Sequence, residues 1–82
     1  MAMRRSNNPQ PELGAAIREL RTERRMTQEA VAQSAGVTVA HLSGIERGRG
    51  NPSWGAVVAI TEALGVSMAK LAKRWEAAKE KK

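Results

Sequence analysis

The chain has 82 residues, with 14 Lys plus Arg against 8 Asp plus Glu, no cysteine, no tyrosine, no phenylalanine and two tryptophans. This length limits it to one domain, and the missing cysteine excludes a disulfide framework, a thiolate zinc site and a thiol nucleophile. A net charge of +6 and a sequence pI of about 10.9 point to a polyanionic partner, most simply nucleic acid.

The basic charge is uneven along the chain. Residues 1–25 carry a net +3, residues 26–69 a net −1 and residues 70–82 a net +4. Charge alone therefore does not mark the middle of the chain as the contact surface. The scarcity of aromatic rings argues against a single-strand binder, whose bases stack on aromatic platforms. No apolar run is long enough to span a membrane. The two arginines of "MAMRRSNNPQPE" are not followed by the apolar stretch a secretory signal requires. A cysteine-free chain fits a reducing cytoplasm, and for a nucleic-acid binder the expected location is with the nucleoid.

Residues 1–11 hold two prolines, two asparagines and a serine, and read as a flexible basic arm carrying Arg4 and Arg5. A helical pattern begins at Glu12 or Leu13, with Leu13, Ala16, Ile17 and Leu20 on one face. Arg18, Arg21, Arg24 and Arg25 fall on its other faces or at its end. "MTQEAVAQSAG" is a short second helix, capped by Thr27, buried through Val31, Ala32 and Ala35, and stopped by Gly36. Thr38 caps a third helix whose inner edge is Leu42 and Ile45 and whose opposite face is Val39, Ala40, Ser43, Gly44 and Arg47. That helix ends at Gly48, and "GRGNP" is a loop. Ser53 caps a fourth helix with Val57, Ile60 and Leu64 in line, closed by Gly65. Ser67 caps a fifth, with Met68, Leu71 and Trp75 on one stripe. The pattern predicts an all-α fold, a compact five-helix bundle. Residues 12–76 form the domain, and residues 77–82 a basic tail that continues the last helix and frays.

The second helix, the turn at Gly36-Val37 and the third helix have helix-turn-helix spacing. The whole stretch "TQEAVAQSAGVTVAHLSGIERGRGNPS", with "ALGVS" after it, resembles the phage-repressor-like (XRE or Cro/repressor type) helix-turn-helix family, from about Leu13 to Leu71. The resemblance implies a lambda-repressor-like DNA-binding domain that lays its third helix in the major groove and works as a homodimer on a two-fold site. It implies that Val39, Ala40, Ser43 and Gly44 face bases. Gln28, Thr38, His41, Arg47, Arg49 and Asn51 fall at backbone-contacting positions. It further implies that Glu46 pairs with Arg21 on the first helix. Taken as an exposed pair, that contact would be worth little, and Glu46→Ala would destabilise only slightly.

One departure from the commoner family pattern stands out. Val39 and Ala40 have no side-chain hydrogen bond to offer, and their natural target is the thymine methyl group. Gly44 costs up to about 1 kcal/mol in a helix interior but lets the helix approach closely. Such a face gives modest direct readout, and Ser43, Thr38, DNA shape and the arm must carry the remaining specificity.

The expected partners are double-stranded DNA and a second copy of the chain through Leu71 and Trp75, with no membrane. Trp54 and Trp75 are also candidates for the core. An antitoxin-type module that binds a protein partner and regulates itself through the same domain is the alternative. No paired carboxylates, nucleophile–base set or phosphate loop is visible, so an enzyme is not expected. No cofactor is implied, and His41, the sole histidine, has no second ligand for a metal.

Overall fold

A computed structural model describes residues 10–80. Arg4, Arg5 and the rest of the expected arm up to residue 9 lie outside them, as do the final two lysines. The described residues form five helices: α1 (Pro11–Glu23), α2 (Gln28–Ala35), α3 (Val39–Glu46), α4 (Trp54–Leu64) and α5 (Met68–Glu80). α1 starts at Pro11, inside the span read as arm, because proline at the first helical position has the right φ and lacks only an N–H that would be orphaned there. α5 runs through Glu80, so residues 77–80 of the expected tail are helical.

Local chemistry sets most of the helix ends. The hydroxyl groups of Thr27, Thr38, Ser53 and Ser67 each accept the backbone N–H three residues on, at 2.9–3.1 Å. Gly36 and Gly65 close α2 and α4 in the left-handed conformation. α1 closes in the same way on an arginine. Arg25 takes φ 60°, and the N–H of Met26 donates to the Arg21 carbonyl.

α1 packs on α3 and α5, and α2 on α3 and α4. The core they enclose draws Leu13, Ala16, Ile17 and Leu20 from α1, Val31 and Ala32 from α2, and Leu42 and Ile45 from α3. Val57, Ile60 and Leu64 come from α4 and Leu71 from α5. Each large side chain contributes on the order of 1.5–3 kcal/mol by leaving water. Leu71 is only 2 % exposed and belongs to the protomer's own core. Its place on the α5 stripe is the one that turns toward α1 and α4. Trp75 is half-buried against the core, with the Lys79 ammonium 5.0 Å from its ring. Trp54, a core candidate by sequence, is 69 % exposed at the start of α4.

α5 is also tied to α1 by charge. Arg74 holds Glu23 with two bonds, at 2.6 and 3.2 Å, and reaches Glu19 at 3.4 Å. The Arg74 hydrogen bond holds the Glu23 carboxyl below its ordinary range and raises the guanidinium's own pKa. No single helix among the described residues is long and apolar enough to cross a membrane.

α1 crosses the end of α3 at Gly14. A β-carbon there would overlap the Ile45 carbonyl oxygen and press on that of Glu46. Both obstacles are backbone and cannot swing aside. Helix propensity alone predicts that Gly14→Ala stabilises by about 1 kcal/mol. The packing predicts a loss of about 1–3 kcal/mol, a fall in Tm of roughly 5–20 °C for a domain of this size. A thermal melt of the variant decides between the two signs.

Candidate nucleic-acid interface

The hydroxyl of Thr38 ends the turn after α2 and starts α3 by accepting the His41 N–H at 2.9 Å. From there α3 divides cleanly. Leu42 and Ile45 are buried, whereas Val39, Ala40, His41 and Arg47 are exposed and Ser43 and Gly44 half-exposed. Val39, a branched aliphatic side chain, is 39 % exposed. Nothing lies within 4 Å of where a β-carbon of Gly44 would stand. Unlike Gly14, Gly44 answers no packing demand within the protein. The outer face of α3 is thus low, uncharged at its centre, and open.

Arg47 caps the C-terminal end of this face. Arg49 and Asn51 follow in the exposed loop before α4. The structure brings Ser43, Arg47 and Gln28 together around one polar cleft of about 350 Å³, with Arg18, Arg21 and Glu46.

The position of α3 depends on Glu46. The Arg21 Nε donates to Glu46 Oε2 at 2.7 Å, and Arg21 Nη2 donates to Oε1 at 3.1 Å. This is a two-point contact of the kind guanidinium and carboxylate form most strongly. The Gln28 amide nitrogen also donates to Oε1, at 3.0 Å. Arg21 Nη1 in turn donates to the Met26 carbonyl at 2.8 Å. One carboxylate therefore joins α1, α2 and α3. The Arg21–Glu46 partnership that the family pattern implied is present, but the assumption that it is exposed is not correct. The Glu46 side chain is 2 % exposed and that of Arg21 13 %. Sequence reasoning also missed the Gln28–Glu46 bond, which turns the Gln28 amide inward across 18 positions of chain.

Several comparisons identify the architecture. The profile of the helix-turn-helix domain family matches residues 12–73. The chain is 36 % identical over 59 residues to the immunity repressor protein of Bacillus phage phi105, covering 72 % of this chain and 41 % of that repressor. It is 39 % identical over 59 residues to an uncharacterized HTH-type transcriptional regulator, y4dJ, of Sinorhizobium fredii, covering 72 % and 77 %. Among solved structures, the restriction-modification controller protein C.AhdI of Aeromonas hydrophila aligns with a TM-score of 0.72 at 31 % identity, over 74 % of this chain and 92 % of that one. The clp gene regulator ClgR of C. glutamicum aligns with a TM-score of 0.81 at 30 % identity, over 84 % and 88 %. The five-helix fold and its two-helix motif are those of a helix-turn-helix domain. The chain belongs to the helix-turn-helix family.

The buried pair makes a prediction opposite to that for a surface contact. Glu46→Ala strands a mostly buried guanidinium, and breaking such a pair costs about 3 kcal/mol, or on the order of 12–24 °C in Tm. Glu46→Gln keeps an acceptor for Arg21 and should lose much less. Denaturant melts of the two variants side by side measure the difference.

Proposed function

We propose that this protein is a sequence-specific double-stranded DNA-binding transcriptional regulator that lays α3 in the major groove and acts as a homodimer. It has no catalytic activity and works in the cytoplasm on the nucleoid. The observation that supports this most directly is the outer face of α3: Val39, Ala40, Ser43 and Gly44 stand open on a helix whose opposite side is locked into the core. An α-helix about 10–12 Å across fits a major groove about 12 Å wide. A bare Gly44 allows the closest approach. Val39 and Ala40 read thymine methyl groups, and Ser43 supplies the hydrogen-bonding side chain at the centre. Thr38, His41, Arg47, Arg49 and Asn51 serve the backbone. Gln28 does so with whatever its amide has left after bonding Glu46.

The dimer reading rests on a second surface. An apolar groove of about 600 Å³ runs between the start of α4 and α5, with Leu71 and Val57 at its base and Trp75 and Met68 on its wall. Trp54 projects at its edge. A protruding ring and an apolar groove on one surface are self-complementary, as a two-fold interface requires. Trp54 of each copy enters the other's groove, beside Trp75, and the two α3 helices then lie about 34 Å apart, one turn of DNA. Trp54→Ala should convert a dimer into a monomer in sedimentation at micromolar concentration. A wild-type chain that sediments as a monomer both free and on DNA removes the dimer.

Positioning and reading separate experimentally. Arg47→Ala should weaken binding to selected and random duplex alike, and make the log–log salt dependence shallower by about one unit. Val39→Ala should lower the preference for the selected sequence by on the order of 1 kcal/mol and leave the random-duplex salt slope unchanged. Gly44→Leu should raise helix stability and abolish selective binding. If Gly44→Leu binds the selected duplex like the wild type, α3 does not enter the groove.

A further inference from the structure

On α1, Gly14, Arg18 and Arg21 share one face at helical spacing. Gly14 rests on the last carbonyls of α3, and Arg21 holds Glu46. Arg18, between them, is carried to the same end of α3. It lines the polar cleft beside Arg21, Gln28, Ser43, Glu46 and Arg47. Three arginines and one glutamate give that cleft a net charge of +2. The only acid in it is already spoken for: both Glu46 oxygens accept from Arg21, and one also accepts from Gln28. Among the described residues, the guanidinium group of neither Arg18 nor Arg47 has a hydrogen-bonding or ion-pairing partner. Both guanidinium groups are exposed on the wall of one cleft, where their free N–H donors are open to an anion.

The cleft's place on the molecule says which anion. Ser43 belongs both to the open face of α3 and to the cleft wall, so the cleft opens on the flank of that face. A helix that fills the major groove has a sugar-phosphate strand along each flank. We propose that Arg18 and Arg47 clasp one DNA backbone phosphate from opposite sides of this cleft, above the Arg21–Glu46–Gln28 network. Arg18 lies outside the two helices of the motif, and no pattern in the sequence assigns it a contact. The planar fork of each guanidinium suits two-point binding to a phosphate. The clasp also indexes the register of α3 in the groove, because it ties α1 to the same strand that α3 lies against. The inference rests on the groove-binding reading above.

The test is a titration of random and selected duplexes at several salt concentrations. Arg18→Ala should weaken both by about tenfold at low salt, the effect of losing one charged hydrogen-bonded contact. It should also make the log–log slope shallower by about 0.9. Arg18→Lys should keep the slope and lose part of the affinity. Lys73→Ala, which removes a charge from the exposed side of α5, should leave the slope unchanged. In the selected duplex, one methylphosphonate, a neutral substitute for a phosphate, should weaken the wild type and have no further effect on Arg18→Ala. Arg18→Ala and Arg47→Ala should then be insensitive at the same position. An Arg18→Ala protein with wild-type slope and wild-type methylphosphonate sensitivity overturns the clasp. If Val39→Ala still lowers sequence preference in that case, the groove-binding reading stands without it. If the wild type binds neither duplex, both fall.

Discussion

The buried carboxylate of Glu46 is the contact on which the rest of the molecule depends. It sits at the last turn of α3 and receives donors from α1 and α2. An acid so fully withdrawn from water is tolerated only where its oxygens are saturated by donors, and here they are. The consequence is positional. The apolar contacts of Leu42 and Ile45 decide that α3 is held against the core, but apolar contacts are not directional. The fixed geometry of a two-point ion pair sets the roll of α3 about its axis. That roll decides which residues reach outward. Gly14 adds the matching constraint from the other side, because α1 can sit this close to the α3 carbonyls only where a side chain is missing.

Two surfaces of the molecule have contrasting chemistry. The α3 face is low and uncharged, and cations stand around its rim at Arg47 and Arg49. The α4–α5 groove is apolar. Both are built from short helices whose inner sides share one core. This explains how a small chain presents two distinct surfaces without a second domain. The near-neutral middle of the sequence supplies α3, and the basic excess lies toward the two ends of the chain.

Features decided within a few residues were legible in the sequence. Thr27, Thr38, Ser53 and Ser67 cap the helices expected of them, and Gly36 and Gly65 close two of them, because a cap acts on a backbone N–H three positions away. The apolar periodicity of Leu13, Ile17, Leu42, Ile45, Val57, Ile60 and Leu64 identified core positions correctly, since each lies on the inward stripe of its helix. What escaped was set by distant partners. Gly14 reads as an ordinary weak helix residue until α3 is placed against it. Gln28 carries the family position for a backbone contact, yet its amide bonds an acid 18 residues away. Leu71 and Trp75 share a stripe, but periodicity names a face without naming what covers it. The structure covers Leu71 with the protomer's own core and leaves Trp75 half open. The left-handed Arg25 escaped for another reason: a basic residue at a helix end is favourable on charge alone, which hides the backbone conformation it adopts.

The placement of the two tryptophans has a spectroscopic consequence. With no tyrosine or phenylalanine in the chain, near-ultraviolet absorption and emission come from Trp54 and Trp75 alone. Their surroundings differ sharply. Trp54 stands in water at the mouth of the apolar groove, whereas Trp75 leans on the core beneath a lysine ammonium. In a single protomer, emission from the first is the redder and the more open to soluble quenchers, and emission from the half-buried second is the bluer and the less open. One unlabelled sample therefore carries two separable intrinsic probes, one of the outer surface of the groove and one of the integrity of the fold beneath it.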